Sequence, residues 1–211
     1  HIWGKGLAII MGIKIHKKNE RSGPMGDMII SNHLGFLDVP IILSVYPGVF
    51  AIKEEMKNVF FFGQALEKQG HVFVKRDDKL SKRKALMKIM KVLQDDDRII
   101  IFPEGKASPG AERLPFNPGS FLAAKRLDKT VEACVIDYLP DRSLLAWDVN
   151  KKMVPQLIDL FGKRRIDVSI EFFKPEKVEG SPTAFAEKWH DIIQEKLEQN
   201  DRDRDAGKNS Q

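Results

Sequence analysis

The chain has 211 residues, of which 42% are hydrophobic and 31% charged, with 35 Lys and Arg against 30 Asp and Glu for a formal charge of +5. That balance excludes a wholly disordered or collagen-like chain, and the length fits one domain whose core needs neither a disulfide nor a metal. A single cysteine, Cys134, excludes an intramolecular bridge and a structural zinc site of the cysteine type, and points to a reducing compartment.

In chain order, the first segment runs from Ile2 to Ile13, apolar but interrupted by Lys5 and by Gly4, Gly6 and Gly12. No run of eighteen apolar residues exists anywhere, so no segment is a full transmembrane helix by length. The following Lys14-Ile15-His16-Lys17-Lys18 is not a signal-peptide cleavage site. Because the chain opens on His1 rather than Met, residues 1–15 read either as the stump of a membrane anchor or as an ordinary buried helix or strand lead-in. From residue 14 onward, short β-branched or aromatic runs at 28–31, 49–52, 71–74, 99–102 and 131–136 predict strands. Between them, residues 39–45, 60–68, 79–93 and 119–127 have helical apolar spacing. This alternation predicts an α/β fold, a single domain with a largely parallel central sheet flanked by helices. Two further strands are expected at 144–149 and 165–173, around a helix at 155–161. The last helix has Ser181 as N-cap, Pro182 at its first position and Phe185, Trp189, Ile192, Ile193 and Leu197 on one face. The domain is thus expected to span 1–200, with 201–211, rich in charge, as a disordered tail.

Residues 79–93 separate their charges from their apolar side chains. Leu86, Ile89, Met90 and Leu93 form an inward stripe, while Lys82, Arg83, Lys84, Lys88 and Lys91 occupy the rest. A basic amphipathic helix suits an anionic membrane surface; the plainer reading is a solvated helix face. Nucleic acid is not expected, since aromatics are not interleaved with these cations and no recognition motif is present.

Three strand ends carry residues fit for chemistry, and strand ends are where α/β folds place their sites. At the first, Ser31-Asn32-His33-Leu34-Gly35-Phe36-Leu37-Asp38, a tight turn can bring the Asp38 carboxylate against the His33 imidazole, leaving the other ring nitrogen as a general base. A structural histidine beside a helix-capping aspartate is the ordinary alternative. At the second, Phe102-Pro103-Glu104-Gly105-Lys106, Pro103 and Gly105 predict a turn exposing Glu104. At the third, residues 70–76 form a strand ending in Lys75 and Arg76, cations suited to phosphate. No G-x-S-x-G elbow exists, and Cys134 lies inside a predicted buried strand, so an acyl-enzyme is not expected. His16, His71 and His190 lack ligand-like spacing to His33, so no metal is expected, and the absence of a phosphate-binding G-x-x-x-x-G-K loop argues against nucleotide chemistry.

The sequence resembles the glycerolipid acyltransferases typified by lysophosphatidic acid acyltransferase. Asn32 through Asp38 matches their N-H-x-S-x-x-D block with Gly35 in place of Ser, and Gly70 through Arg76 matches G-x-x-F-I-x-R with Val74 for Ile. Phe102-Pro103-Glu104-Gly105 and Ser108 match F-P-E-G-T-R-S, Lys53-Glu54-Glu55 is similar to the family's K-x-E element, and Leu114 through Phe121 is similar to the stretch before its final strand. Two further departures stand out: Lys106 and Ala107 replace Thr-Arg, removing a cation the family often places near the acceptor, and the fourth block, Ala133-Cys134-Val135-Ile136, lacks its proline.

The resemblance implies transfer of a fatty acyl group from acyl-CoA or acyl carrier protein to the hydroxyl of a lysophospholipid, with lysophosphatidic acid giving phosphatidic acid as the leading acceptor and lyso-ornithine lipid as an alternative. His33 and Asp38 are the catalytic residues it implies; Asn32, Lys53, Arg76, Phe102, Pro103, Glu104 and Gly105 are the substrate-binding ones. No cofactor is implied beyond the acyl donor. The expected location is the cytoplasmic face of an anionic membrane, peripheral or anchored through the N-terminus. Two rival functions remain: a non-catalytic lipid-surface binding protein, and a thioesterase-like hydrolase using the same pair on water.

Overall fold

The computed structural model describes residues 2–21, 23–58, 66–75, 78–108, 114–140, 142, 145, 148, 151 and 153–208. In chain order the elements are α1 (Ile2–Ile10), β1 (Ile13–Lys17), β2 (Met28–Ser31), α2 (Asp38–Val45), β3 (Val49–Lys53), a 3-10 turn (Glu54–Asn58) and β4 (Val72–Val74). They continue with α3 (Lys79–Gln94), β5 (Ile99–Ile101), α4 (Gly119–Arg126), β6 (Thr130–Leu139), α5 (Met153–Phe161), β7 (Ile166–Phe172), β8 (Glu176–Lys177) and α6 (Pro182–Lys208). The strands form one sheet in the order β1-β7-β6-β2-β5-β3-β4, with β8 paired to β6. Strands β4, β3, β5, β2 and β6 are mutually parallel, whereas β7 and β8 run antiparallel to β6. The expected single α/β domain with a largely parallel sheet is what the chain forms.

Both faces of the sheet are buried, which explains why its central strands read as nearly continuous apolar runs. Alternate residues serve opposite cores. Ile29, Ile100, Cys134, Ile136 and Tyr138 face one core with residues of α2, and Met28, Ile30, Ile99, Ile101, Val131, Ala133 and Val135 face the other. The second core is closed by Ile89 and Leu93 of α3, Phe121 of α4, and Phe185, Trp189, Ile193 and Leu197 of α6. Local signals start the helices where expected: the Asp78 carboxylate accepts from Leu80 N–H and Ser81 N–H at 2.8 and 3.0 Å, and Ser181 Oγ accepts from Ala184 N–H at 3.0 Å.

Several expectations are corrected. The tail was expected to be disordered from residue 201, but α6 continues to Lys208. Its last turns are held by charge: Arg204 Nη1 donates to Asp137 Oδ2 at 2.7 Å, Asn200 Nδ2 donates to the same oxygen at 3.1 Å, and Arg142 Nε donates to Asp137 Oδ1 at 2.9 Å. Asp137 itself is buried, so the charge-rich tail serves a buried acid rather than solvent. Strand β6 is longer than expected, reaching Leu139, and β1 and β8 were not anticipated. Most of the helix expected at 60–68 and of the strand expected at 144–149 lies outside the described residues.

The N-terminal segment forms a helix packed on α2. A Cβ added at Gly4 would sit 2.5 Å from Leu43 Cβ, so the two helices touch at a point where only glycine fits. Ala8 and Met11 are buried while Ile9 and Ile10 stand exposed. Among the described residues no helix is long and apolar enough to cross a membrane.

Candidate active site

The site is assembled at the C-terminal ends of β2 and β5, which are neighbours in the sheet. Chain leaving β2 carries Asn32 and His33 and turns into α2 at Asp38. His33 Nδ1 donates to Asp38 Oδ2 at 2.8 Å. The same carboxylate oxygen accepts from the Leu34 and Gly35 backbone N–H groups at 2.6 and 2.9 Å, and Oδ1 accepts from the Tyr138 hydroxyl at 2.5 Å. Asp38 is fully buried and is the first residue of α2. A charge there is compensated by these donors together with the positive end of the helix. His33 retains 21% side-chain exposure, which leaves Nε2 for a substrate.

The loop after β5 supplies the second wall. Phe102 stacks flat on the His33 ring, with centroids 4.0 Å apart and planes 7° from parallel. Behind it, Phe50 stacks on Phe102 at 5.4 Å and meets His71 edge-on at 5.9 Å. His71 accepts the Phe50 N–H at 3.0 Å and is held neutral by burial, which lowers it to about 4. The imidazole of His33 is thus fixed by a hydrogen bond at one edge and a ring against its face. Gly105 closes the turn: its N–H donates to Phe102 C=O at 3.1 Å and its φ of 76° is a left-handed conformation that favours glycine. Ser108 N–H donates to His33 C=O at 2.8 Å, and the buried Pro103 accepts Asn117 N–H through its carbonyl at 2.9 Å, so the turn at 102–108 is pinned on both sides.

Glu104 differs from the sequence expectation. Rather than projecting outward it turns back, Oε1 accepting from the His33 N–H at 3.2 Å. Burial raises its carboxyl to about 8; the His33 N–H opposes this and the Asp38 charge adds to it. At neutral pH this carboxyl is largely protonated and can itself donate a hydrogen bond.

Asn32, expected to bind substrate, is buried, with Nδ2 donating to Ile136 C=O at 2.9 Å and Oδ1 accepting Ile136 N–H at 2.9 Å. It splices the end of β2 to β6 just where the β2–β6 ladder stops. Lys53 lies exposed at the end of β3, beside Val74 at the end of β4, on the same edge of the sheet as His33. Arg76 lies outside the described residues. What the sequence reading missed is Tyr138, which falls two residues beyond the strand expected at 131–136; a phenol continuing that strand's largely apolar run was the available signal.

A partly exposed imidazole on a buried carboxylate, with one ring nitrogen open, at a strand end and beside a polar loop, is the arrangement of a general-base site. The family model described as Acyltransferase matches residues 12–137, more than half of the chain and inclusive of His33, Asp38 and the loop after β5, and the chain belongs to that family. The chain is similar to the lyso-ornithine lipid O-acyltransferase of Rhizobium meliloti (strain 1021), 24% identical over 188 residues that cover 81% of this chain and 64% of that one. It is also similar to the 1-acyl-sn-glycerol-3-phosphate acyltransferase of Neisseria gonorrhoeae, 28% identical over 137 residues, 64% of this chain and 53% of that one. The chain therefore spans about half to two thirds of the length of these curated relatives. The fold is shared with the crystal structure of the 1-acyl-sn-glycerophosphate acyltransferase of Thermotoga maritima, with a TM-score of 0.63 at 20% identity, covering 94% of this chain and 76% of that one.

Proposed function

We propose that the protein transfers a fatty acyl group from a thioester, acyl-CoA or acyl carrier protein, to the hydroxyl of a lysophospholipid, with lysophosphatidic acid as the acceptor and phosphatidic acid as the product. The observation that carries this reading is the His33–Asp38 pair, with Nδ1 committed to the carboxylate and the ring still accessible. Nε2 takes the acceptor's hydroxyl proton as the oxygen attacks the thioester carbonyl. Asp38 stabilises the imidazolium so formed. Collapse of the tetrahedral intermediate breaks the C–S bond, and the imidazolium returns the proton to the departing thiolate. Glu104, neutral at physiological pH and one loop away, donates to an oxygen of the acceptor and orients it. Lys53 and Arg76 supply charge for a phosphate.

A second acceptor is supported by particular residues. Lys106-Ala107 stands where the resembled family has Thr-Arg, so a forked cation is replaced by a point charge, and a lysine does not reproduce bidentate phosphate contacts. An acceptor without a phosphomonoester, such as a lyso-ornithine lipid, needs less of that charge, and relatives carrying that name are among those matched. For location, we place the protein at the cytoplasmic face of an anionic membrane. Support comes from α3, whose exposed Lys82, Arg83 and Lys84 lie between the exposed apolar Leu80 and Met87, and from Ile9 and Ile10 of α1.

The deciding experiment incubates the protein with a labelled acyl thioester and a panel of lysolipids. Acylated lysophosphatidate supports the leading acceptor, and acylated lyso-ornithine lipid replaces it with the second. Free fatty acid alone makes the pair a hydrolase, and no turnover makes the fold a lipid-surface binding module.

A further inference from the structure

We infer that Tyr138 is a positioning residue of the His33–Asp38 pair, its hydroxyl fixing and moderating the carboxylate that holds the general base; the inference rests on the function proposed above. Tyr138 lies near the end of β6, is fully buried, and belongs to the core that includes Leu34, Leu37 and Ile41. Its O–H points to Asp38 Oδ1 at 2.5 Å. The other oxygen, Oδ2, faces His33 Nδ1 and two backbone N–H groups. Every donor on Oδ2 comes from the loop between β2 and α2. Among the described residues only Tyr138 reaches Asp38 from outside that loop, and it occupies the oxygen that would otherwise be free to rotate toward the imidazole. Asp38 is therefore held in one orientation by a bond from β6, and β6 is held to β2 by Asn32 two residues earlier.

The hydroxyl also shares the carboxylate's charge. A second strong donor draws electron density from Oδ1, so less negative charge faces His33 than a carboxylate without that donor would present. The moderation matters to a base that must release its proton to the departing thiolate. Among the described residues the charged and titratable groups facing this cluster are few. Glu104 lies at the His33 backbone, Cys134 lies two turns of the pleat back along β6, and Asp137 lies next to Tyr138 but is tied up by Arg142 and Arg204. Burial and the Asp38 charge keep the phenol protonated well past the working range, so the hydroxyl donates throughout.

The test is Tyr138→Phe, which keeps the ring in the core and removes the oxygen. With the acceptor that wild type uses, kcat should fall about ten-fold, as expected when a hydrogen bond to a charged group is lost, while the KM of both substrates stays within about two-fold. The acid limb of kcat/KM should move to higher pH by about 0.5–1 unit, because an unshared carboxylate favours the protonated ring. The titration of the His33 ring followed by NMR should move the same way. That measurement reads the contact in the folded protein whether or not acyl transfer is found, so a wild type without transferase activity removes the proposed function and leaves this inference to be decided by the spectrum. Adding Tyr138→Phe to Asp38→Asn should cost less than about two-fold more, since the hydroxyl acts through the carboxylate. An unchanged His33 titration, or a full ten-fold further loss in the Asp38→Asn background, overturns the assignment and leaves Tyr138 as a core residue.

Discussion

At the level of single residues, the proposed chemistry depends on His33 more than on any other side chain. It contributes little to the core, being partly exposed and resting on Phe102, so His33→Ala should fold normally and lose about 10²–10⁴ in acyl-transfer rate. Activity above a tenth of wild type, at equal folded concentration by circular dichroism, would show that the base lies elsewhere. Glu104 makes a separate prediction, because its carboxyl is raised by burial to about 8 from an ordinary 4.5. The folded state holds this proton more tightly than the unfolded chain. The stability it confers is complete below about pH 4.5 and is lost as pH rises toward about 8. Thermal unfolding across pH 5–8 should therefore show wild type losing stability with rising pH more steeply than Glu104→Gln. Parallel profiles for the two proteins would place the Glu104 carboxyl in water. His33, Asp38 and Glu104 were legible in the sequence because motif spacing put them at strand ends. The direction in which Glu104 points was not, since a turn glutamate between proline and glycine reads as exposed until the backbone N–H it serves is located.

Among the elements, the helices and parallel strands followed from apolar period and caps, and the misses have a common cause. Strand β1, with Ile13 and Ile15 facing in and lysines between, alternates too briefly to separate from a lead-in. The end of α6 was cut short because the charge-rich run from Asp201 reads as having nothing to bury, when in the fold Arg204 pairs with the buried Asp137 at the end of β6 and Asp201 pairs with Arg142. A comparable pairing explains Glu132, an acid inside an apolar strand: Arg21 Nε and the Tyr46 hydroxyl donate to its Oε1 at 2.8 and 2.5 Å, and Gly26 N–H to its Oε2 at 2.8 Å. Long-range partners of this kind leave no trace in local sequence pattern. The clamp on Asp137 is testable through Arg204→Ala, which removes one of its charged donors while Arg142 remains. Urea unfolding should show a loss of about 1.5–3 kcal/mol, the range for a hydrogen bond to a charged group. A loss within about 0.5 kcal/mol, the level of ordinary surface substitutions, would make the last turns of α6 an ornament of the fold.

For the molecule as a whole, the proposed membrane contact rests on one face of α3. Lys88 donates to Phe73 C=O at 2.6 Å and Lys91 pairs with Asp95 at 3.2 Å, so these two are partly spent inside the protein, while Lys82, Arg83 and Lys84 project from the helix. Each cation near an anionic bilayer contributes on the order of 1 kcal/mol, weakened by salt. Replacing Lys82, Arg83 and Lys84 together by Ala should lower co-sedimentation with vesicles rich in anionic lipid by at least about ten-fold at low salt, with little change on zwitterionic vesicles. Equal binding by both proteins would return α3 to the status of a solvated face.

The order of strands carries one more consequence. Strand β2, which delivers His33, hydrogen-bonds to β5 and β6 and, among the described residues, to no strand made before them. On a ribosome the middle of the sheet is therefore synthesised near the beginning and must wait, unpaired, for chain that emerges about seventy to one hundred residues later. Pairings so distant in sequence form slowly, and a nascent chain holding an apolar strand open on both edges is a natural client for chaperones. The geometry around His33 is accordingly among the last things to mature: Asp38 is close by in the chain, but Phe102, which stacks on the imidazole, and Ile136 and Tyr138, which hold Asn32 and Asp38, all arrive later.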